Sequence, residues 1–156
     1  GNKLEHLITF ANRFSGTLPD QYGHSLQYVK IQNNQFSGPV PPSFWALNGL
    51  KFLEMYNNRF QGSVSGSISR GLTKLILSGN NFSGQFPIEI CELHNLLEID
   101  ANKNHFTGQV PTCITRLIKL QKLRLQENMF IGEIPINYWW RVQLLIINKK
   151  RKKKVD

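Results

Sequence analysis

Apolar residues fall in a fixed frame along this chain. Leu26, Val29 and Ile31 are followed by Asn34, Leu72, Leu75 and Leu77 by Asn80, and Leu120, Leu123 and Leu125 by Asn128. Residues two apart share one face of an extended segment, so Leu75 and Leu77 point one way while Ile76 and Ser78 point the other. The frame therefore predicts a short strand in each unit. A second fixed group follows, Asn-x-Phe-(Ser/Thr/x)-Gly-x-apolar-Pro, and its asparagines are Asn12, Asn34, Asn58, Asn80, Asn104 and Asn128, stepping by 22, 24, 22, 24 and 24 residues. That period predicts a solenoid, in which each coil buries its apolar face against its neighbours. The asparagine turns the chain out of the strand, and its buried amide satisfies backbone groups that no ladder pairs. The phenylalanine enters the core and stacks on its counterpart in the next coil. The glycine permits the sharp turn and the proline ends regular sheet.

Departures from the frame mark weak points. Thr9 stands where an apolar residue belongs, and in the third unit Ser65 replaces the proline, so the polar run from Ser63 to Ser69 is expected to be its loosest part. The longer return segments carry Ile90, Leu93 and Leu96, and Ile114, Leu117 and Leu120. Spacing by three predicts a 3₁₀ or loose helical turn there. After Pro135 the regularity decays. Leu144 and Ile147 are in phase for a seventh strand, and then a basic run begins at Lys149. Residues 1–147 are thus expected to hold six complete repeats and the start of a seventh, with 148–156 a disordered basic tail.

The hydrophobic fraction of 40% suits a packed core rather than wholesale disorder. Net charge is +9, but Lys149, Lys150, Arg151, Lys152, Lys153 and Lys154 supply six of it. The repeat body is only mildly basic, which argues against nucleic-acid binding. No apolar stretch reaches the roughly 18 residues of a membrane span, and no secretory signal opens the chain at Gly1. The four histidines are scattered, so no metal or cofactor is expected. Cys91 and Cys113 lie four and two residues after their prolines. Adjacent coils about 5 Å apart, plus that offset, put a disulfide at the edge of allowed geometry, and two small buried or half-buried thiols are the default. No nucleophile–base pair or paired carboxylate cluster is placed by the frame, so no catalysis is expected.

The frame Leu-x-x-Leu-x-Leu-x-x-Asn resembles the leucine-rich repeat. The spacer Phe-Ser-Gly-x-apolar-Pro resembles more narrowly the plant-type version found in ectodomains of plant receptor-like kinases, over residues 4–147. The segments Leu26–Trp45 and Gly71–Asn80 are similar to the HAESA-like receptor kinases. The resemblance implies an α/β-type leucine-rich repeat solenoid and a right-handed superhelix, with short parallel strands on a concave face and irregular or 3₁₀ turns on the convex one. It implies a fragment of a receptor ectodomain on the extracellular side of the plasma membrane, whose parent signals through a serine/threonine kinase absent from this chain. The implied partners are a small secreted peptide and a co-receptor leucine-rich repeat kinase. Relatives often grip the peptide's terminal carboxylate with Arg-x-Arg on a strand. Here Tyr28 and Lys30 occupy those positions, so capture rests on a lysine, a point charge without the bidentate fork.

Outward strand positions follow from the frame. The N-terminal half of the face is aromatic and apolar, with Ile8, Phe10, Tyr28, Phe52, Tyr56 and Ile76, and the C-terminal half is charged. An exposed aromatic strip seats an extended peptide, or its rings stack across strands and only stabilise the sheet. Tyr28, Lys30, Phe52, Tyr56, Lys74 and Ile76 are the candidate ligand-binding residues. Glu54, Lys74, Glu98, Asp100, Lys122 and Arg124 read mainly as a screened surface ladder. Asn81-Phe82-Ser83 is a glycosylation sequon, with Asn81 facing solvent. Two other readings remain at this stage: a stand-alone interaction or inhibitor protein of the polygalacturonase-inhibitor type, and a non-functional truncated fragment. Lacking end caps, the chain alone is expected to be marginally stable.

Overall fold

The computed structural model describes residues 3–135 and the strand Leu144–Ile146. The segment after Pro135 and the basic tail otherwise lie outside the described residues. Each coil opens with a three-residue strand made by the apolar frame and continues into a second strand made by the Asn-x-Phe-x-Gly group. In chain order these are β1 (His6–Ile8), β2 (Ser15–Gly16), β3 (Tyr28–Lys30), β4 (Gln35–Pro39), β5 (Phe52–Glu54), β6 (Arg59–Gly62), β7 (Lys74–Ile76), β8 (Asn81–Gln85), β9 (Glu98–Asp100), β10 (His105–Gly108), β11 (Lys122–Arg124), β12 (Met129–Phe130) and β13 (Leu144–Ile146). The odd-numbered strands form a seven-stranded parallel sheet in chain order, and the even-numbered ones form a six-stranded sheet. The strand at Leu144 joins the first sheet with Leu144 opposite Lys122, in the phase the sequence predicts.

The second sheet is a finding that the frame does not anticipate. The Phe-Ser-Gly group reads as a turn because its glycine takes a left-handed backbone, with φ of 79° at Gly38, 82° at Gly62 and 79° at Gly84. Those same residues nevertheless sit in paired strands, Gly38 opposite Phe60 and Gly62 opposite Phe82. Repetition at the same register supplies the cross-strand bonds that a single copy could not make.

The core lies between the two sheets and the return segments. Leu26, Val29, Ile31, Leu53, Met55, Leu75, Leu77, Ile99, Leu123 and Leu125 are buried, one inward pair after another. The phenylalanines stack as expected. Ring centroids of Phe14, Phe36, Phe60, Phe82, Phe106 and Phe130 follow one another at 6.2–6.4 Å with interplanar angles of 10–18°. Phe86 packs edge-on against Phe106 and Phe130. The return segments fold as single turns: α1 (Pro42–Trp45) in the second coil, and 3₁₀ turns at Ile88–Glu92 and Thr112–Arg116.

The asparagines join the coils. Oδ1 of Asn80 accepts the N–H of Phe60 at 3.0 Å, while Nδ2 donates to Met55 O and Leu77 O, both at 3.0 Å. Asn34, Asn58, Asn104 and Asn128 repeat this geometry, each accepting the phenylalanine N–H of the preceding coil at 3.0 Å. Each amide thus satisfies one backbone donor and one carbonyl of the previous coil together with a carbonyl of its own.

One expectation needs correction. Cys91 and Cys113 are disulfide-bonded, with Cα atoms 5.7 Å apart. The difference of two residues in phase adds little distance here, because both cysteines lie in 3₁₀ turns. A 3₁₀ turn has three residues per turn and rises only about 2 Å per residue. With Ile90 and Ile114 both inward, Cys91 follows one and Cys113 precedes the other, so their side chains lean towards each other from opposite sides. In the run from Ser63 to Ser69, Ser63, Ser65, Gly66 and Ser67 are exposed, and the run is anchored at its end by Ser69, which is buried, its Oγ donating to Leu50 O at 2.9 Å and its N–H to Trp45 O at 2.8 Å.

Candidate ligand-binding face

Parallel pairing lines the outward residues of the first sheet into columns. One column runs His6, Tyr28, Phe52, Lys74, Glu98 and Lys122, and the next Ile8, Lys30, Glu54, Ile76, Asp100 and Arg124. Phe10, Gln32, Tyr56, Ser78, Asn102 and Gln126 follow, each one step past the backbone bonds that continue the ladder. The register is what brings candidate residues from separate repeats together.

In the first column the rings stack. Tyr28 and Phe52 lie nearly parallel, centroids 4.9 Å apart and planes at 14°, and His6 stands edge-on to Tyr28 at 4.6 Å. Tyr28, Phe52 and Tyr56 are half-buried. The stack leaves faces and edges open to solvent while supporting the sheet. Ile8 and Phe10 extend the apolar strip and are 50% and 49% exposed.

The C-terminal half is closed by its own charges. Lys74 Nζ sits 2.9 Å from Glu54 and 3.9 Å from Glu98, and Arg124 Nη1 lies 3.1 Å from Glu98 and 3.3 Å from Asp100. Lys122 reaches Glu98 at 3.8 Å, and Asp100 also takes a hydrogen bond from the Asn102 amide. Burial would by itself lower the pKa of Lys74, but the hydrogen bond to Glu54 and the charges of Glu54 and Glu98 outweigh it, so the net shift is upward. The ladder is more buried than a surface reading implies, for Glu54 and Asp100 are buried as whole residues.

Ile76 also departs from its expected place. It sits between the ion-paired Glu54 and Asp100 in its column and is only 6% exposed. Lys74 is tied to two carboxylates. Lys30, by contrast, makes no ion pair among the described residues. The N-terminal half thus brings together Tyr28, Lys30, Phe52 and Tyr56, while Lys74 and Ile76 belong to the closed half. Gln32, which sequence reasoning passed over, is buried on this face with Oε1 unpartnered. Its column position, between Phe10 and Tyr56, was legible, but its burial depends on side-chain packing that the frame does not state.

Asn81 opens β8 on the second sheet and is exposed, with Phe82 beneath it in the core. Among the described residues no group of His, Cys, Asp and Glu is placed to hold a metal ion, and no helix is long and apolar enough to cross a membrane.

Two parallel sheets of short strands, stacked coil on coil by an asparagine ladder and a phenylalanine stack, define a leucine-rich repeat domain. The leucine-rich repeat family model matches residues 25–47 and 71–93. The solved ectodomain of the Arabidopsis receptor kinase HAESA, in complex with the peptide hormone IDA and the co-receptor SERK1, is 38% identical, with a TM-score of 0.90 over 94% of this chain and 26% of that one. PEPR1, solved with AtPEP1, is 29% identical with a TM-score of 0.88, over 92% of this chain and 21% of that one. The plant peptide hormone receptor RGFR1, solved with RGF2, shares the fold at 24% identity and a TM-score of 0.86, covering 93% of this chain and 24% of that one. The chain spans about a quarter of the length of these receptors. No curated protein sequence matches it.

Proposed function

We propose that this chain is a ligand-binding segment of a plant receptor-like kinase ectodomain of the HAESA-like kind, and that it seats a small secreted peptide on the outer face of the first sheet. The observation that carries the reading is the contrast between the two halves of that face. The C-terminal half spends its charges on itself, whereas the N-terminal half offers the Tyr28–Phe52 stack, Tyr56 and the ammonium of Lys30, which makes no ion pair among the described residues. Flat rings beside one cation suit an extended peptide carrying apolar side chains and a carboxylate. Lysine holds that carboxylate as a point charge, so the contact is weaker and more salt-sensitive than a guanidinium fork. Lys74 marks the boundary of the site, and Ile76 lies in the closed half beyond it. The Cys91–Cys113 bond supports placement on the oxidising, extracellular side, and the exposed Asn81 sequon supports glycan attachment there. A membrane-bound kinase parent and a co-receptor leucine-rich repeat kinase complete the proposal.

Calorimetric titration tests it, using a peptide of the IDA type as free acid and as C-terminal amide. The free acid binds, and Lys30→Met or Phe52→Ala weakens it by at least about tenfold, the scale of one lost charge-assisted hydrogen bond or aromatic contact. Equal affinity for acid and amide would remove Lys30 from the role. Failure of every such peptide to bind would favour a stand-alone inhibitor reading, which inhibition of a fungal pectinase would then establish.

A further inference from the structure

Oppositely charged neighbours in the columns of the first sheet meet, with one exception. In the first column Lys74 reaches Glu98 at 3.9 Å and Lys122 reaches Glu98 at 3.8 Å, and in the second Arg124 reaches Asp100 at 3.3 Å. Lys30 and Glu54 are register partners in the second column, on strands about 5 Å apart like the others. They nevertheless form no ion pair among the described residues. The other neighbour of Lys30 in that column is Ile8, so Glu54 is the carboxylate that the register sets beside it.

Glu54 is already taken. Its carboxylate turns across to Lys74, in the first column of the next coil, at 2.9 Å, the shortest ion pair among the described residues. The Glu54 side chain is 12% exposed and that of Lys74 33%, so the pair is partly sheltered from water and from screening by salt. We propose that Lys74 is a positioning residue that sets the specificity of the face: by holding Glu54 it keeps the ammonium of Lys30 free, and the site favours a peptide ending in a free carboxylate over one ending in an amide. The inference rests on the reading of Lys30 as the group that receives the peptide's carboxylate. Lys74 itself touches no ligand and acts through Glu54 alone.

Removing Lys74 shows what it prevents. The largely buried Glu54 carboxylate then lacks its cation, which is costly, and Lys30 is the cation next to it in its column. Glu54 turns along the column to Lys30, in the arrangement that Asp100 and Arg124 already show between equivalent positions. A ligand carboxylate must then displace an internal one held at strand spacing, whereas a C-terminal amide, which draws little from Lys30, loses nothing.

The test titrates the same free-acid and amide peptides into Lys74→Met. The free acid binds roughly fivefold more weakly than to the parent, the upper end for an exposed ion pair because Glu54 is largely buried, and the amide is unchanged. Lys74→Arg, which keeps a cation on Glu54, binds both peptides as the parent does, and adding Glu54→Gln to Lys74→Met restores the free acid. Loss of a positive charge near the site would by its field alone weaken the acid too, and a double-mutant cycle without peptide separates the two causes. Lys30→Met and Glu54→Gln, made singly and together and followed by urea denaturation, show no coupling while Lys74 is present. In Lys74→Met they show roughly fivefold coupling in the folding equilibrium constant, the worth of the new pair. Lys74→Gln, which removes the charge and keeps a polar side chain, gives the same coupling, so the result does not hang on the folding of one variant. Equal coupling with and without Lys74 would overturn the proposal, whatever the peptides do. Failure of both peptides to bind the parent would overturn the peptide reading and the specificity assigned to Lys74 with it. Equal binding of the free acid to the parent and Lys74→Met, with the amide weaker in both, would leave that reading standing and overturn this proposal alone.

Discussion

Replacing Asn80 by alanine tests the joint between coils most sharply. The side chain is buried and makes three bonds of 3.0 Å, to Phe60 N–H, Met55 O and Leu77 O. The losses are unequal. Met55 O keeps the Asn58 amide at 3.2 Å and Leu77 O keeps the Asn104 amide at 3.0 Å. Phe60 N–H is left with no acceptor inside the core. Orphaning a buried donor costs about 1–3 kcal/mol, and each lost bond whose acceptor keeps a second partner adds about 0.5–1 kcal/mol. Asn80→Ala therefore destabilises by about 2–5 kcal/mol, a large part of the total for a domain of this size. Asn12→Ala is the control, because Asn12 is exposed and bonds only within its own coil, so its cost stays within about 0.5 kcal/mol. Asn80→Asp retains the acceptor for Phe60 but turns a carboxylate towards two carbonyls, and it is at least as damaging as alanine at neutral pH. Urea denaturation followed by circular dichroism gives the comparison, with slopes of about 1–3 kcal/mol/M converting the loss into a midpoint shift on the order of 1–2 M. If Asn80→Ala and Asn12→Ala fall within about 0.5 kcal/mol of each other, the ladder is not what joins the coils.

Lys103 sits at φ 53°, a left-handed position held by Gly79 in the coil before it, so Lys103→Gly relieves about 1–2 kcal/mol of backbone strain against about 0.4–1 kcal/mol from the greater entropy of the unfolded chain; calorimetric melting shows a higher Tm, and a lower one would refute the strain. Cys91→Ser with Cys113→Ser removes a link closing a 22-residue separation, and costs about 3 kcal/mol under non-reducing conditions while leaving the parent and the double variant equal in reductant. The raised pKa of Lys74 means that its contribution to stability is fully present below the ordinary lysine value of 10.5 and is lost as pH rises through the higher folded value. Lys74→Met accordingly flattens the alkaline limb of the melting profile above pH about 10, and an unchanged limb would show that the Glu54 contact is not what holds the proton.

The strands of the first sheet, the inward leucines and the phenylalanine stack were legible because a repeated frame states the same fact many times. One unit alone is ambiguous, but six at a constant step fix phase and therefore side. The second sheet was hidden because Gly38, Gly62 and Gly84 combine a turn backbone with strand pairing, and only the neighbouring copy reveals the pairing. The disulfide was not legible because a two-residue phase offset, counted along the chain, does not give the spacing of side chains in two stacked 3₁₀ turns, where Cys91 and Cys113 flank equivalent inward isoleucines. In the candidate site the columns followed from the frame, and Tyr28, Lys30, Phe52 and Tyr56 stand together as the register requires. The burial of Ile76 and Glu54 did not follow, because it depends on side-chain packing and ion pairing across strands, which the frame does not state. Frame alone assigns a side; ion-pair geometry decides how much of that side remains open.

The footprint of a bound peptide tests the proposed face most directly. Hydrogen exchange of the chain with and without saturating peptide, read residue by residue, reports which backbone is covered. The account predicts slowed exchange around Tyr28–Lys30 and Phe52–Tyr56, with β9 and β11 unchanged because their side chains are already engaged with one another. Protection confined to Glu98–Arg124, or to the second sheet around Asn81–Gln85, would contradict it.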